Sequence, residues 1–149
     1  MNAFSPKLKL KLILAFYSVC FIGASLNHAR DIWVNGLLPH SGHPVSLHVF
    51  WTSLTFVDLF VPLLFGLGRI KAGVSFALGI MLTDLAVNTW YSYNVRESIY
   101  WGNVDLIAQT AFLVFVMFTA PVIWAAENAT SNPVNLTLSR DSEADGGRC

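Results

Sequence analysis

Three acidic residues interrupt otherwise apolar stretches of this 149-residue sequence. Asp58 and Asp84 are each flanked by long apolar runs, and Asp105 lies near the start of another. Two carboxyls that face one apolar cavity cannot both ionise cheaply, so such a pair would hold a proton or bind a cation or an amine. Ionisable groups in such segments often mark functional sites. We therefore treat these acids as candidate ligand-binding residues.

Helical spacing places further polar residues beside each acid, at steps of three or four positions. Because lipid cannot satisfy polar groups, we expect these side chains to point inward and to line one pocket. The predicted ligand-binding set is Asn27, His28, His48, Thr55, Asp58, Asp84, Asn88, Asp105 and Gln109. A structural alternative remains open, in which the carboxyls accept hydrogen bonds from neighbouring side chains and only fix the helix arrangement. The donors considered for that role are Thr55, Thr83, Asn88 and Tyr91.

Neither a metal site nor nucleophilic catalysis is indicated by the residue pattern. The histidines at 28, 40, 43 and 48 lack the i, i+4 pairing on a helix that a zinc site favours, and no two of them suit a haem. No Ser or Cys lies in a motif with a base and an orienting acid, and there is no CxxC. We expect no metal, no cofactor and no catalytic residue, and the sequence favours a protein that is not an enzyme.

The segments that carry these residues are apolar enough for a bilayer. The chain is 54% hydrophobic and 12% charged, and its mean hydropathy is +0.55. Runs of roughly 20 apolar residues, the length that crosses a hydrocarbon core, cover about 8–29, 47–67, 70–91 and 104–126. The sequence therefore predicts an all-α bundle of four transmembrane helices within residues 1–126. A neutral net charge and the lack of a basic stripe argue against nucleic-acid binding.

Basic residues predict the orientation of the bundle, because cytoplasmic flanks retain Lys and Arg. The side that holds both termini carries Lys7, Lys9, Lys11, Arg69, Lys71, Arg140 and Arg148, whereas the opposite side carries Arg30 and Arg96. We expect both termini in the cytoplasm and the polar pocket in the outer half of the bundle. A cleaved signal peptide over the first run is the alternative, but its end is a poor cleavage site.

The remaining segments are assigned by composition. Residues 127–149 are polar and lack the apolar mass to order themselves, which predicts a disordered cytoplasmic tail. On the third span, Ser75, Gly79 and Thr83 recur every four residues and permit close helix approach. That stripe indicates packing within the bundle or, as the alternative, a homodimer seam. We expect the plasma or inner membrane, or an endomembrane in a eukaryotic cell.

The second span carries a family resemblance. Its FVDLFVPLLF stretch at residues 56–65, with Asp58 followed by Pro62, resembles the acid-then-proline helix of the emopamil-binding and sigma-two receptor-like (EXPERA) proteins. The segment from Asp31 to Pro39 and the late Pro121 are loosely similar to that family. The resemblance implies a small helix bundle with an acid-lined pocket for amphiphilic amines or sterols. Asp84 and Asn88 depart from the family pattern, and we carry over no catalytic assignment.

Several functions fit this pattern, and the residues separate them poorly. The first is binding of a small amphiphile or lipid, with the acids holding its polar head. A small ion- or proton-coupled transporter, an accessory subunit of a membrane complex and a membrane enzyme that shuttles a proton on a lipid are the alternatives. Transporters usually show paired helix breaks at mid-membrane depth. Pro62 has no counterpart in the other half of the chain, which favours binding over transport.

Overall fold

The computed structural model describes residues 5–37, 44–94 and 103–131, and every regular element in these ranges is an α-helix. The elements are α1 (Pro6–Asn35), α2 (Val45–Val57), α3 (Phe60–Gly66), α4 (Ile70–Asn94) and α5 (Val104–Ser131). Helices α2 and α3 together form one span, so the described residues contain four segments long and apolar enough to cross a membrane. The prediction of an all-α four-helix bundle is confirmed.

The helices extend beyond the apolar runs that predicted them. Helix α1 begins where the Ser5 side chain accepts a hydrogen bond from the Leu8 N–H at 3.3 Å, with Pro6 in the first turn. It ends at Gly36, whose φ of 81° is left-handed and whose N–H donates to the Ile32 carbonyl. The polar residues between 29 and 35 thus continue the helix, because polarity alone does not end one.

The regular hydrogen-bond pattern of the second span is interrupted at Asp58 and Leu59, between α2 and α3, although both residues keep right-handed helical φ and ψ angles. Pro62 has no N–H, so it cannot donate to the Asp58 carbonyl four residues earlier. That carbonyl instead accepts from the Val61 N–H at 3.3 Å, and the Leu59 N–H turns to the Phe56 carbonyl at 3.2 Å. A proline therefore places an acidic residue at a local interruption in the middle of a span.

The helices pack in chain order around a common core. Helix α1 packs on α2 and α3, α3 packs on α4, and α4 packs on α5. Helices α1 and α5 close the ring through aromatic contacts, such as Phe16 with Phe115 at a centroid distance of 5.0 Å. Many large apolar side chains are exposed on the outside, among them Val19, Phe56 and Phe118. Such an exterior suits lipid better than water.

The two ends of the bundle can be told apart by their connections. Lys71 donates a hydrogen bond to Asn128, so the α3–α4 turn and the end of α5 lie at the same end. We call the opposite end, which holds Asp31 and Asn103, the outer end, after the predicted orientation. Helix α5 continues to Ser131, a few residues past the start predicted for the tail at 127, and the disordered tail itself stays a prediction. Residues 132–149 lie outside the described residues, and the orientation itself stays a prediction.

Candidate functional site

A cleft of about 820 Å³ runs between α1 and α5 and reaches the middle of the bundle. We call it the deep cleft. Its walls are mostly apolar and include Phe16 and Ala24 of α1 and Phe112 of α5. Asp58, from the interruption of the second span, and Asp84 of α4 both line it. The arrangement places two carboxyls in one apolar cleft.

The Asp58 side chain is buried in the bundle and reaches the deep cleft. Its side chain is only 2% exposed, and within the described part of the chain no donor reaches its carboxyl. Thr55 and Thr83, two of the donors considered from the sequence, do not serve it. The Thr55 hydroxyl is buried and makes no hydrogen bond, and the exposed Thr83 hydroxyl donates to the Gly79 carbonyl of its own helix at 2.9 Å. Asp58 therefore does not hold helices together.

Asp84 does belong to a structural network, which links α2, α4 and α5. The Asn88 amide nitrogen donates to Asp84 Oδ1 at 2.9 Å and to Gln109 Oε1 at 3.2 Å. The Asn88 amide oxygen accepts from the Trp51 indole Nε1 at 2.9 Å. For Asp84, the structural role foreseen for Asn88 as a donor is thus present. We call Trp51, Asn88, Asp84 and Gln109 the amide network.

A second cleft, of about 800 Å³, opens at the outer end. We call it the outer cleft. It shares Asn27, His28, Ala108 and Gln109 with the deep cleft, so the two meet at these residues. Its remaining lining is largely polar and includes Asp105 and Asn88. A ligand that spans both clefts would therefore meet a polar surface at one end and an apolar one at the other.

The remaining predicted site residues lie apart from the two acids. His48 is 3% exposed and lines a cavity of about 10 Å³ that His28 and Trp51 also line, a volume comparable to one water molecule. Thr55 lines neither cleft, because it lies at the α1–α2 contact, where its carbonyl accepts from Ser25 Oγ at 2.6 Å. The structure thus brings together most of the predicted set in the two clefts, but His48 and Thr55 line neither of them.

Two polar contacts were not foreseen from the sequence. The Trp51 indole N–H donates to the Asn88 amide oxygen, although the sequence analysis names no contact for Trp51. Tyr17 is fully buried, and its hydroxyl lies 2.7 Å from Thr119 Oγ1. No pattern in the sequence of the fourth span singles out Thr119 as its partner.

The small-residue stripe on α4 lines an open groove of about 300 Å³, whose other wall is formed by residues of α2 such as Phe50 and Val57. Ser75, Gly79 and Thr83 are all exposed, and a Cβ added at Gly79 would meet nothing within 4 Å. In the described part of the chain, no neighbouring helix packs closely on the stripe at Gly79. A homodimer through these residues stays a prediction.

The expectation that the histidines hold no metal can be compared with the structure over only part of the chain. Within residues 5–37, 44–94 and 103–131, no three His, Cys, Asp or Glu side chains come together in a way that could hold a metal ion. His40 and His43 lie outside these ranges. The expectation that the protein holds no metal and no cofactor stays a prediction.

Comparison with known proteins does not assign the chain to a family. No family model matches the chain, and neither the curated proteins nor the solved structures give a match. The resemblance of residues 56–65 to the EXPERA family therefore stays a prediction. The geometry of the two clefts is what remains to indicate a function.

Proposed function

We propose that this chain is a multi-pass integral membrane protein that binds a small amphiphile or lipid in the deep cleft. The apolar walls hold the body of the ligand, and its polar head donates a hydrogen bond to Asp58. The membrane assignment is supported by the four apolar helices and by the many large apolar side chains on the outside. The volume of the deep cleft lies in the range typical of small-molecule sites.

The observation that carries the proposal is the state of the Asp58 carboxyl. A buried polar group without a hydrogen bond costs free energy, and a buried acid costs more. Asp58 is buried, it has no donor among the described residues, and it lines the deep cleft. A ligand that brings a donor into the cleft would relieve this cost. Asp84 and Gln109, which line the same cleft, would complete the polar end of the site.

The test compares leucine substitutions at the two acids in protein reconstituted into lipid nanodiscs. Dodecanol and dodecylamine serve as probes and dodecane as the chain without a head group. Asp58→Leu removes a carboxyl that has no hydrogen-bond partner among the described residues, so the variant should unfold at no lower temperature than the wild type. The variant should also lose the stabilisation that both probes give to the wild type. For a ligand at 100 times its Kd, binding raises the free energy of unfolding by about 2.7 kcal/mol.

The matched variant and the control sharpen this test. Asp84→Leu removes the acceptor of Asn88 and should lower the unfolding temperature without any ligand. Thr83→Val changes a hydroxyl on the outside of α4 and should leave stabilisation by the probes unchanged. Asp58→Leu that is stabilised by the probes as strongly as the wild type would overturn the proposal.

The interruption of the second span supports proton-coupled transport as a second candidate function. Transporters place interrupted helices beside their substrate and ion sites, and here a local interruption of the helical hydrogen bonds coincides with a buried acid. Liposomes that contain the protein and a pH-sensitive dye can test it. Proton uptake that needs an amphiphile gradient and disappears in Asp58→Asn would establish transport, and uptake equal to that of empty liposomes would exclude it.

A further inference from the structure

We infer that the chain has a second lipid site, which binds the head group of an anionic phospholipid at the end of the bundle opposite the outer end. We call that end the inner end. The site is formed by Lys7 and Lys11 of α1 and by Arg69 of the α3–α4 turn. It is separate from the deep cleft and does not depend on the proposed function.

The turn between α3 and α4 fixes the position of Arg69. Gly68 has a left-handed φ of 72°, and its N–H donates to the Phe65 carbonyl at 3.0 Å. The Arg69 N–H donates to the Leu64 carbonyl at 2.8 Å. These two hydrogen bonds form the closed turn with which many helices end. The backbone of Arg69 is therefore held against the end of α3.

Lys7 and Lys11 lie on the side of α1 that faces the second span. Ser25 identifies this side, because its hydroxyl donates to the Thr55 carbonyl of α2 at 2.6 Å. Lys7 precedes Ser25 by 18 residues, which is five full turns of an α-helix. Lys11 follows Lys7 by four residues and shares its face.

Lys9 lies on the other side of α1. It is rotated by about 200° from Lys7 around the helix axis, and it precedes Phe16 by seven residues, or two turns. The Phe16 ring contacts Phe115 of α5 at a centroid distance of 5.0 Å. Lys9 therefore faces the α5 side and stands apart from the proposed site.

Arg69 lies at about the same depth as Lys11. The Tyr17 and Phe65 rings pack edge to face at a centroid distance of 5.9 Å, which places these two residues at a similar level. From that level, Lys11 is six residues and Arg69 four residues closer to the inner end. These separations correspond to about 9 Å and 6 Å along a helix. Exposed cations from two distant parts of the chain therefore meet on one side of the inner end.

The three cations are not neutralised within the part of the chain that the structure describes. Their side chains make no hydrogen bond or ion pair with any described residue. Lys71, by contrast, donates to Asn128 of α5. Among the described residues, Glu127 is the only acid at this end, and it also lies on α5. The α1–α3 side of the inner end thus carries an excess of positive charge.

An anionic phospholipid complements this surface. Its phosphate lies where the helices leave the hydrocarbon core, and its chains can pack on exposed apolar side chains of the second span, such as Leu63 and Leu67. A zwitterionic lipid would bring an ammonium group to the three cations, and a soluble phosphate would lack the chains. Basic clusters of this kind between helices on the cytoplasmic side recognise anionic head groups. The predicted orientation places the inner end on that side.

The experiment is native mass spectrometry of the protein in detergent with equal amounts of phosphatidylglycerol and phosphatidylcholine that carry the same chains. The measured quantity is the ratio of the two bound lipids, which should favour phosphatidylglycerol for the wild type. Lys11→Gln and Arg69→Gln should each lower this ratio about fivefold, the effect of one basic residue near an anionic surface. Lys9→Gln removes the same charge from the same end and should lower it less than twofold. All three variants should unfold at the wild-type temperature without added lipid, because the charges are exposed.

The outcomes distinguish a defined site from a general attraction. Equal binding of both lipids by the wild type would overturn the inference. Equal losses in Lys9→Gln and Lys11→Gln would show that only the total charge of the inner end matters, which also overturns the site. Displacement of phosphatidylglycerol by an equal concentration of glycerol 3-phosphate would assign a soluble anion in place of the lipid. Asp58→Leu should keep the wild-type ratio, so a failure of the proposed function leaves this site standing.

Discussion

Asp58 and Asp84 are the same residue type in one cleft, yet their surroundings differ. Asp84 accepts a hydrogen bond from Asn88, and through Asn88 it is tied to Trp51 on α2 and Gln109 on α5. Asp58 has no such partner among the described residues and is almost completely buried. Asp84 therefore contributes to the arrangement of the helices, whereas Asp58 makes no side-chain hydrogen bond between helices in the described part of the chain. A buried acid without such a structural role is expected to serve the function.

The link between Trp51 and Asn88 should be measurable as a coupling energy. A double-mutant cycle with Trp51→Phe and Asn88→Ala should give a coupling of about 0.6 kcal/mol, and at most about 1.7 kcal/mol, as for other hydrogen bonds between membrane helices. The free energy of unfolding in mixed micelles is the quantity to measure. Trp90, which is half exposed, provides the control, because Trp90→Phe and Asn88→Ala should be additive. Equal coupling in both cycles would contradict the network.

The sequence predicted which residues are candidates, but not which of them pair. Polar residues in apolar runs can be recognised from composition, and helical spacing assigns each one to a face. Whether Trp51 lies at the headgroup level or donates to Asn88 depends on the rotation of two helices about their axes. That rotation is set by packing between helices distant in sequence, such as the contact of Tyr17 with Thr119, and no local pattern contains it.

At the scale of the elements, the interruption of the second span and the close approach of its second half to α4 shape the site. Pro62 removes one backbone donor, and the chain responds with the turn at Asp58 and Leu59. Helix α3 then packs closely on α4 at Gly73, where a Cβ would lie 2.5 Å and 2.7 Å from ring carbons of Phe65. The position of α3, and with it that of Asp58, thus depends on a glycine in the neighbouring helix.

Gly73→Ala should therefore destabilise the bundle. The added methyl group forces the Phe65 ring to move, and overpacking of this kind typically costs about 1–3 kcal/mol. Gly23→Ala is the matched control, since a Cβ at Gly23 would meet nothing within 4 Å and alanine favours a helix. The unfolding temperature of the two variants in nanodiscs is the measurement. A Gly73→Ala protein as stable as Gly23→Ala would show that α3 and α4 are not closely packed.

The four spans could be predicted because their positions depend on length and hydropathy. The ends of the helices and the contacts of their faces could not, because tertiary contacts determine them. The four spans were placed correctly because a bilayer demands about 20 apolar residues. Their ends were not, since α1 and α5 continue through polar residues. The open groove at Gly79 was also missed, because a repeat every four residues identifies a face of a helix without showing what that face meets.

The whole molecule combines an apolar exterior with polar groups that lie inside and toward one end. The turn that contains Arg69 and Lys71 and the end of α5 lie at the same end of the bundle, and the outer cleft opens at the other. If basic residues are retained in the cytoplasm, the cleft faces the outer side of the membrane. A ligand could then exchange with the outer leaflet.

Reporter fusions test this orientation. Fluorescent-protein fusions at either terminus should be fluorescent, and an alkaline phosphatase fusion after Cys149 should be inactive, because both termini are expected in the cytoplasm. The same phosphatase inserted after Gly36, at the outer end of α1, should be active. An active fusion at the C-terminus would reverse the orientation, and a mature N-terminus near Ala29 would show that the first span is a signal peptide.

The central claim, that the deep cleft holds an amphiphile through Asp58, is tested most directly by native mass spectrometry of the protein purified in a mild detergent. Wild-type protein and Thr83→Val should each retain a bound amphiphile of defined mass, and Asp58→Leu, although folded, should lack it. The account is contradicted if wild-type protein carries no such adduct, or if Asp58→Leu carries the same adduct at the same occupancy.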